Sequence, residues 1–178
     1  AHVFNDKIYI YPSHDFDSGV PEDDLGNHFN MRDYHVYSMD SAGGEVTDHG
    51  VVLDVDDVEW AARQMWAPDA AEKDGKYYLY FPAKDENDIF RIGVAVADTP
   101  EGPFTPMPDY IENSYSIDPA VFEDTDGEYY MYFGGIWGGQ LQRWETGSFA
   151  DEDKYPADSV KAIEPRIPEA ITSLTGNL

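Results

Sequence analysis

The sequence predicts an all-β chain built from repeated antiparallel units of the kind that make propeller blades. Three observations carry this. A tight turn followed by an aromatic-rich alternating run occurs three times: Asn5-Asp6-Lys7-Ile8-Tyr9-Ile10-Tyr11, Asp74-Gly75-Lys76-Tyr77-Tyr78-Leu79-Tyr80 and Asp126-Gly127-Glu128-Tyr129-Tyr130-Met131-Tyr132. Each reads as a two-residue β-hairpin. The turns recur 68 and 52 residues apart, counted from Asp6, Asp74 and Asp126, a spacing that suits four-stranded blades with loop insertions. Helical periodicity is nearly absent, with only Val58 to Met65 able to make a turn or two. A β-sandwich also contains hairpins, but its strands do not need the same hairpin three times.

Taken in order, each hairpin follows a short apolar run, Val3-Phe4, Ala70-Ala71 and Ala120-Val121-Phe122. Every unit therefore starts strand, tight turn, strand. Tyr34 to Met39 and Arg91 to Ala97 alternate and supply further strands, and Leu141 to Trp144 makes a short one after Gly138-Gly139. The blades are expected at about 1–53, 66–108 and 116–150. Residues 151–178, with Asp151-Glu152-Asp153, Pro156, Pro165 and Pro168, read as an exit loop. Three blades do not close a ring, so the expectation is part of a propeller, cut at both ends, whose open sheet edges require the remainder for closure.

Composition limits the partners. The 178 residues carry 11 Lys and Arg against 36 Asp and Glu, a formal charge of −25. Phosphate binding needs clustered basic side chains, and here they are scattered singly, which excludes a nucleic-acid surface. No stretch of about eighteen apolar residues exists, so no membrane-spanning helix is expected. Cysteine is absent, removing disulfides, thiolate metal sites and a cysteine nucleophile. Asp outnumbers Glu 23 to 13 and Lys occurs six times, an acidity spread along the whole chain that resembles proteins of high-salt environments. Ala1-His2-Val3-Phe4 already reads as structured sequence, so a leader is expected to have been removed or never present. A secreted or periplasmic setting is the expectation.

Acidic residues stand just upstream of two hairpins, in Trp66-Ala67-Pro68-Asp69 and Ser116-Ile117-Asp118-Pro119. Inner strands of propeller blades begin near the central axis, so these acids converge on one pocket. An Asp before Pro is expected to be extended, which fixes where its carboxylate points. The plainer alternative is an Asp that caps a turn.

Five motifs in order, Phe4 to Asp15, Asp33-Tyr34-His35-Val36-Tyr37-Ser38, Met65 to Asp69, Gly93 to Phe104 and Ser116 to Phe122, closely resemble glycoside hydrolase family 43. The resemblance implies a five-bladed β-propeller of inverting β-xylosidases, α-L-arabinofuranosidases and arabinanases that uses an Asp base, an Asp that tunes pKa and a Glu acid. Only Asp118 matches one of the three, the pKa-modulating Asp. The base is expected in an Asp-Pro pair before Ala1, and the acid beyond Leu178. Glu101, in Asp98-Thr99-Pro100-Glu101-Gly102-Pro103, matches instead the turn ending the second blade, and Glu164 and Glu169 fall in the exit loop.

The same resemblance places sugar contacts. Trp66 matches a Trp that stacks on the pentose ring. Ile117 stands beside Asp118, while Ser13, His14 and Asp15 follow the first inner hairpin where pocket-lining polar residues sit. Arg32 and Trp137 read as rim residues, although Arg32 has acids close by to pair with. No metal site is expected within this stretch: His14 has no second histidine at ligand spacing, and Asp124-Thr125-Asp126-Gly127-Glu128 lacks the closing Glu of a calcium loop. A structural calcium ion in the central channel is implied by the family, through residues outside these blades. The expected activity is hydrolysis of β-D-xylosides or α-L-arabinofuranosides of plant hemicellulose, on cell-wall oligosaccharides or aryl glycosides. The alternatives are a carbohydrate-binding propeller, or an inactive fragment, that keeps the aromatic floor without the acids.

Overall fold

Asn5 and Asp6 both adopt left-handed φ, 50° and 63°, and so close a two-residue turn of the type I′ kind whose twist matches its flanking strands. That turn joins β1 (His2–Phe4) to β2 (Lys7–Ile10), with Phe4 opposite Lys7. The computed structural model describes residues 1–22, 26–112, 114, 117–134, 144–145 and 148–149. Pro12 cannot donate to a ladder, and after it the chain resumes as β3 (Ser13–Asp17) on the same edge of the long β4 (Phe29–Met39). The other edge of β4 takes β5 (Thr47–Asp54). The outcome is one five-stranded antiparallel sheet ordered β1, then β2 with β3 along one edge of β4, then β4, then β5.

A single 3-10 turn, Val55–Asp57, follows, capped by Asp54, whose side chain accepts from the Asp56 amide at 2.9 Å. The helical turn expected over Val58 to Met65 does not form. Instead β6 (Ala61–Arg63) pairs with the far end of β8 (Lys76–Asp85), because an available sheet edge outweighs an isolated helix of two turns. β7 (Asp69–Lys73) shares that edge, and Asp74 and Gly75, at φ 53° and 73°, form the second type I′ turn. β9 (Phe90–Ala97) and β10 (Thr105–Pro106) complete the second sheet.

The third hairpin differs from the expected two-residue turn. β11 (Ile117–Glu123) and β12 (Tyr129–Gly134) pair with Glu123 opposite Tyr129, leaving five residues between them. The Gly127 amide donates to the Asp124 carbonyl at 2.9 Å, and Gly127 alone takes the left-handed φ, 83°. Its Asp-Gly pair ends a wider turn instead of forming the whole of a tight one. β13 (Trp144–Glu145) and β14 (Ser148–Phe149) pair with each other. Leu141 to Arg143 of the expected strand lie outside the described residues, as does the exit loop 151–178.

The first two sheets pack face to face. Tyr34 and Val36 of β4 are fully buried, as are Leu79 and Phe81 of β8, and the Tyr34 and Phe81 rings meet edge-on at 6.1 Å. Gly93 is needed here: a Cβ on it would stand 2.5 Å from both Phe81 and Trp60, whose rings stack at 5.9 Å. The inner strands β1, β7 and β11 stand side by side, as radial blades require. Around them lies a cleft of about 350 Å³, lined by residues of these strands and Tyr129.

Candidate active site

Asp69 holds the three inner strands together. Its Oδ1 lies 2.5 Å from Nε2 of His2 on β1, and its Oδ2 accepts from the Val121 amide of β11 at 2.7 Å. Burial pushes this carboxyl up, but the hydrogen bonds from His2 and Val121 outweigh it and hold the pKa below the ordinary carboxylate value. The sequence motif contained Asp69 without revealing this role, because both partners come from other blades, 67 and 52 residues away.

Three residues before Val121, Asp118 sits at a β-bulge: Ile117 pairs with Gly134 and Ala120 with Tyr132, so one residue is extra on β11. Contrary to the expected extended backbone, Asp118 has φ 53°. The bulge overrides the preference of a residue before proline and swings the side chain out of the ladder. Asp118 is exposed, yet the protein shields one side of its carboxyl, and that partial burial raises its pKa. Ile117 beside it is buried.

Three residues before Asp69 stands Trp66, so Trp66 and Asp118 each lie the same distance upstream of the tie between their strands. The Trp66 amide donates to the Pro82 carbonyl at 3.1 Å, and its own carbonyl accepts from the Tyr34 hydroxyl at 2.5 Å. Phe90 lies tilted against the indole at 4.6 Å and Phe29 meets it edge-on at 5.7 Å. The ring is half-buried, and its buried Nε1 has no hydrogen-bond partner.

The first sheet carries the remaining predicted residues. Ser13 lies on β3 opposite Tyr34, and exposed Asp15 accepts from the Asn30 amide at 2.7 Å. Arg32 pairs with Asp56 at 2.8 Å and Asp54 at 3.4 Å, and the Asp56 hydrogen bond raises its pKa. Its guanidinium is therefore engaged by acids of its own blade. His14 binds Asp33 at 2.6 Å, and its ring meets that of His35 at 5.0 Å. No second histidine stands at ligand spacing in the sequence, yet His35, 21 residues further on, is brought beside His14 by adjacent strands. Glu101 lies in the turn after β9, as its motif suggested, and Tyr9 donates to it at 3.4 Å. Trp137 lies outside the described residues.

The sequence model for glycosyl hydrolases family 43 matches residues 44–150. The chain belongs to this family. A xylosidase/arabinosidase of Bacteroides ovatus is 59% identical over 168 residues, covering 94% of this family 43 chain and 52% of the relative. A β-xylosidase of Xylanibacter ruminicola is 49% identical, covering 100% of this chain and 55% of the relative. Among solved structures, a family 43 β-xylosidase/α-arabinofuranosidase from a compost microbial metagenome, with xylotriose and in calcium-free form, superposes with TM-score 0.82. It is 72% identical and covers 85% of this chain and 46% of that one. The chain thus spans about half the length of these relatives.

Calcium takes six to eight oxygen ligands. Among the described residues, the one group of three metal-ligating side chains is His14, Asp33 and His35, with a single carboxylate. Asp69, at the junction of the inner strands, already has both oxygens engaged. The described residues do not fit a calcium ion.

Proposed function

We propose that this family 43 chain forms part of a glycosidase that removes β-xylosyl or α-L-arabinofuranosyl units from plant cell-wall oligosaccharides with inversion. The observation that carries the reading is Asp118: a carboxylate turned out of its ladder at the head of the third inner strand, with Trp66 at the head of the second. Support comes also from relatives called xylosidase/arabinosidase and β-xylosidase, and from the neighbour crystallised with xylotriose.

In an inverting mechanism a base activates water on one face of the sugar while an acid protonates the leaving oxygen, with the carboxyls about 6.5–9.5 Å apart. Asp118 supplies neither proton transfer. Its negative charge keeps the neighbouring acid protonated to higher pH, while Trp66 offers an aromatic surface to the pentose ring. A secreted or periplasmic, high-salt setting belongs to the same proposal, supported by the charge of −25.

The test is a pair of pH–rate profiles on aryl xylosides and arabinofuranosides with the complete protein. Asp118→Asn removes one negative charge, so the acid loses its proton at lower pH and the alkaline limb moves down by about one unit as kcat falls. Trp66→Ala raises KM and leaves the profile in place. A wild-type rate and profile for Asp118→Asn would make Asp118 a turn residue only. Sugar binding without hydrolysis by the complete protein would favour a carbohydrate-binding propeller. The 178 residues alone are expected to show no turnover, since only one of the family's three acids matches within them.

A further inference from the structure

We propose that His14, Asp33 and His35 form a binding site for a divalent transition-metal ion, zinc being the best fit. His14 on β3 and Asp33 on β4 are direct cross-strand partners, and His35 is two residues further along β4, so all three project from one face of the first sheet. Tyr34 and Val36, between and beyond them, point the other way into the packed second sheet. One potential ligand atom from each of the three lies within 4.8 Å of the others. Modest side-chain movement brings such a set around an ion with bonds of about 2.0–2.2 Å.

The residue types select the metal. Two imidazoles and one carboxylate suit zinc and its first-row neighbours and are poor for calcium or magnesium, which prefer oxygen. Asp33 is 7% exposed, and a carboxylate so far removed from water needs a cationic or hydrogen-bonding partner. His14 meets that need at 2.6 Å, and its side chain remains 40% exposed, leaving a way in for the ion and for a water as fourth ligand. His35 is oriented from behind: its Nδ1 lies 3.0 Å from Asp48 Oδ1, and that carboxylate is itself held by the Gly50 amide at 2.8 Å. With Nδ1 donating to Asp48, Nε2 presents its lone pair, the arrangement in which an outer carboxylate fixes the tautomer of a ligating histidine. Register shifts in the ladders lie beside both histidines, at His14/Asp15 and at Tyr34/His35, and the two rings meet at 74°.

The experiment loads the chelator-stripped complete protein with Zn²⁺ by calorimetric titration and with Co²⁺ under visible absorption. The expected result is one Zn²⁺ per chain at this site, weakened at least tenfold by His14→Ala and by His35→Ala. Asp48→Asn should weaken it by about 10–100-fold. His49→Ala, which removes a histidine of the same blade paired instead with Ser38, should leave affinity unchanged. Circular dichroism checks that each variant is folded, and the cobalt spectrum of the wild type, with bands of imidazole ligation, serves if one is not. Zinc binding equal in wild type and in the two ligand variants, or no cobalt band, would overturn the proposal.

Discussion

Asp118 carries a left-handed φ directly before a proline, a conformation that costs an L-residue on the order of 1–2 kcal/mol, less for Asn and Asp. Its carboxyl also binds its proton more tightly in the folded chain than in the unfolded one, since partial burial raises the pKa. The stability this residue contributes is therefore full below the ordinary carboxylate pKa and is lost as pH rises through the raised value. Asp118→Asn should leave the fold as stable or more stable at pH 7, read as an unchanged or higher melting temperature, while activity falls. Asp69 has the opposite sign. Its lowered pKa contributes stability that is present above the unfolded value and lost as pH falls through the folded one. Asp69→Asn should cost about 1–3 kcal/mol at pH 7 by leaving buried partners unsatisfied, and should flatten the acid limb of a stability–pH curve measured by urea unfolding. Position 118 was singled out by the resemblance of its Ile-Asp-Pro motif, since the dipeptide alone equally suits a turn cap, and its backbone conformation was not legible at all. The bulge exists only because Ile117 and Ala120 pair with Gly134 and Tyr132, a long-range fact that overrides the local rule for residues before proline.

Strands rich in alternating aromatics were readable because period-two patterning and branched or aromatic side chains coincide in β2, β4, β8 and β9. β5 was not, since Thr47-Asp48-His49-Gly50 opens it with polar residues and a glycine at φ 77°. β6 escaped because three residues carry no period. The metal ligands were hidden for a related reason: His14 and His35 meet through strand pairing, whereas linear ligand spacing detects mainly sites within one element. Two glycines separate backbone from packing effects. Gly75→Ala meets open space at φ 73° and should cost about 1–2 kcal/mol through backbone strain alone. Gly93→Ala drives a methyl into Phe81 and Trp60 and should cost about 1–3 kcal/mol through overpacking. Denaturant midpoints for both variants check this, and the second sheet should yield first in Gly93→Ala, seen as altered tryptophan fluorescence.

At the scale of the molecule, a charge of −25 works against compaction. The exposed pairs Lys7–Asp40 and Lys76–Asp98 offset little of it, since such pairs are worth about 0–1 kcal/mol. Raising sodium chloride from about 0.1 M to 1 M shortens the screening length from roughly 10 Å to 3 Å, so the melting temperature should climb with salt; a flat or falling curve would remove the high-salt setting from the proposal. The Asp69 junction sets how the blades come apart. In a linear repeat array each unit can melt at its own boundary, but here one carboxylate belongs to three strands at once, so loosening β1 or β11 leaves one oxygen of Asp69 unpaired and loosening β7 frees both of its partners. To the coupling that the shared core of the first two sheets already provides, Asp69 thereby adds a polar tie that includes the third. Replacing Asp69 by Ala should broaden one sharp unfolding transition into two, with a smaller denaturant slope for each, as the third sheet becomes free to leave before the first two.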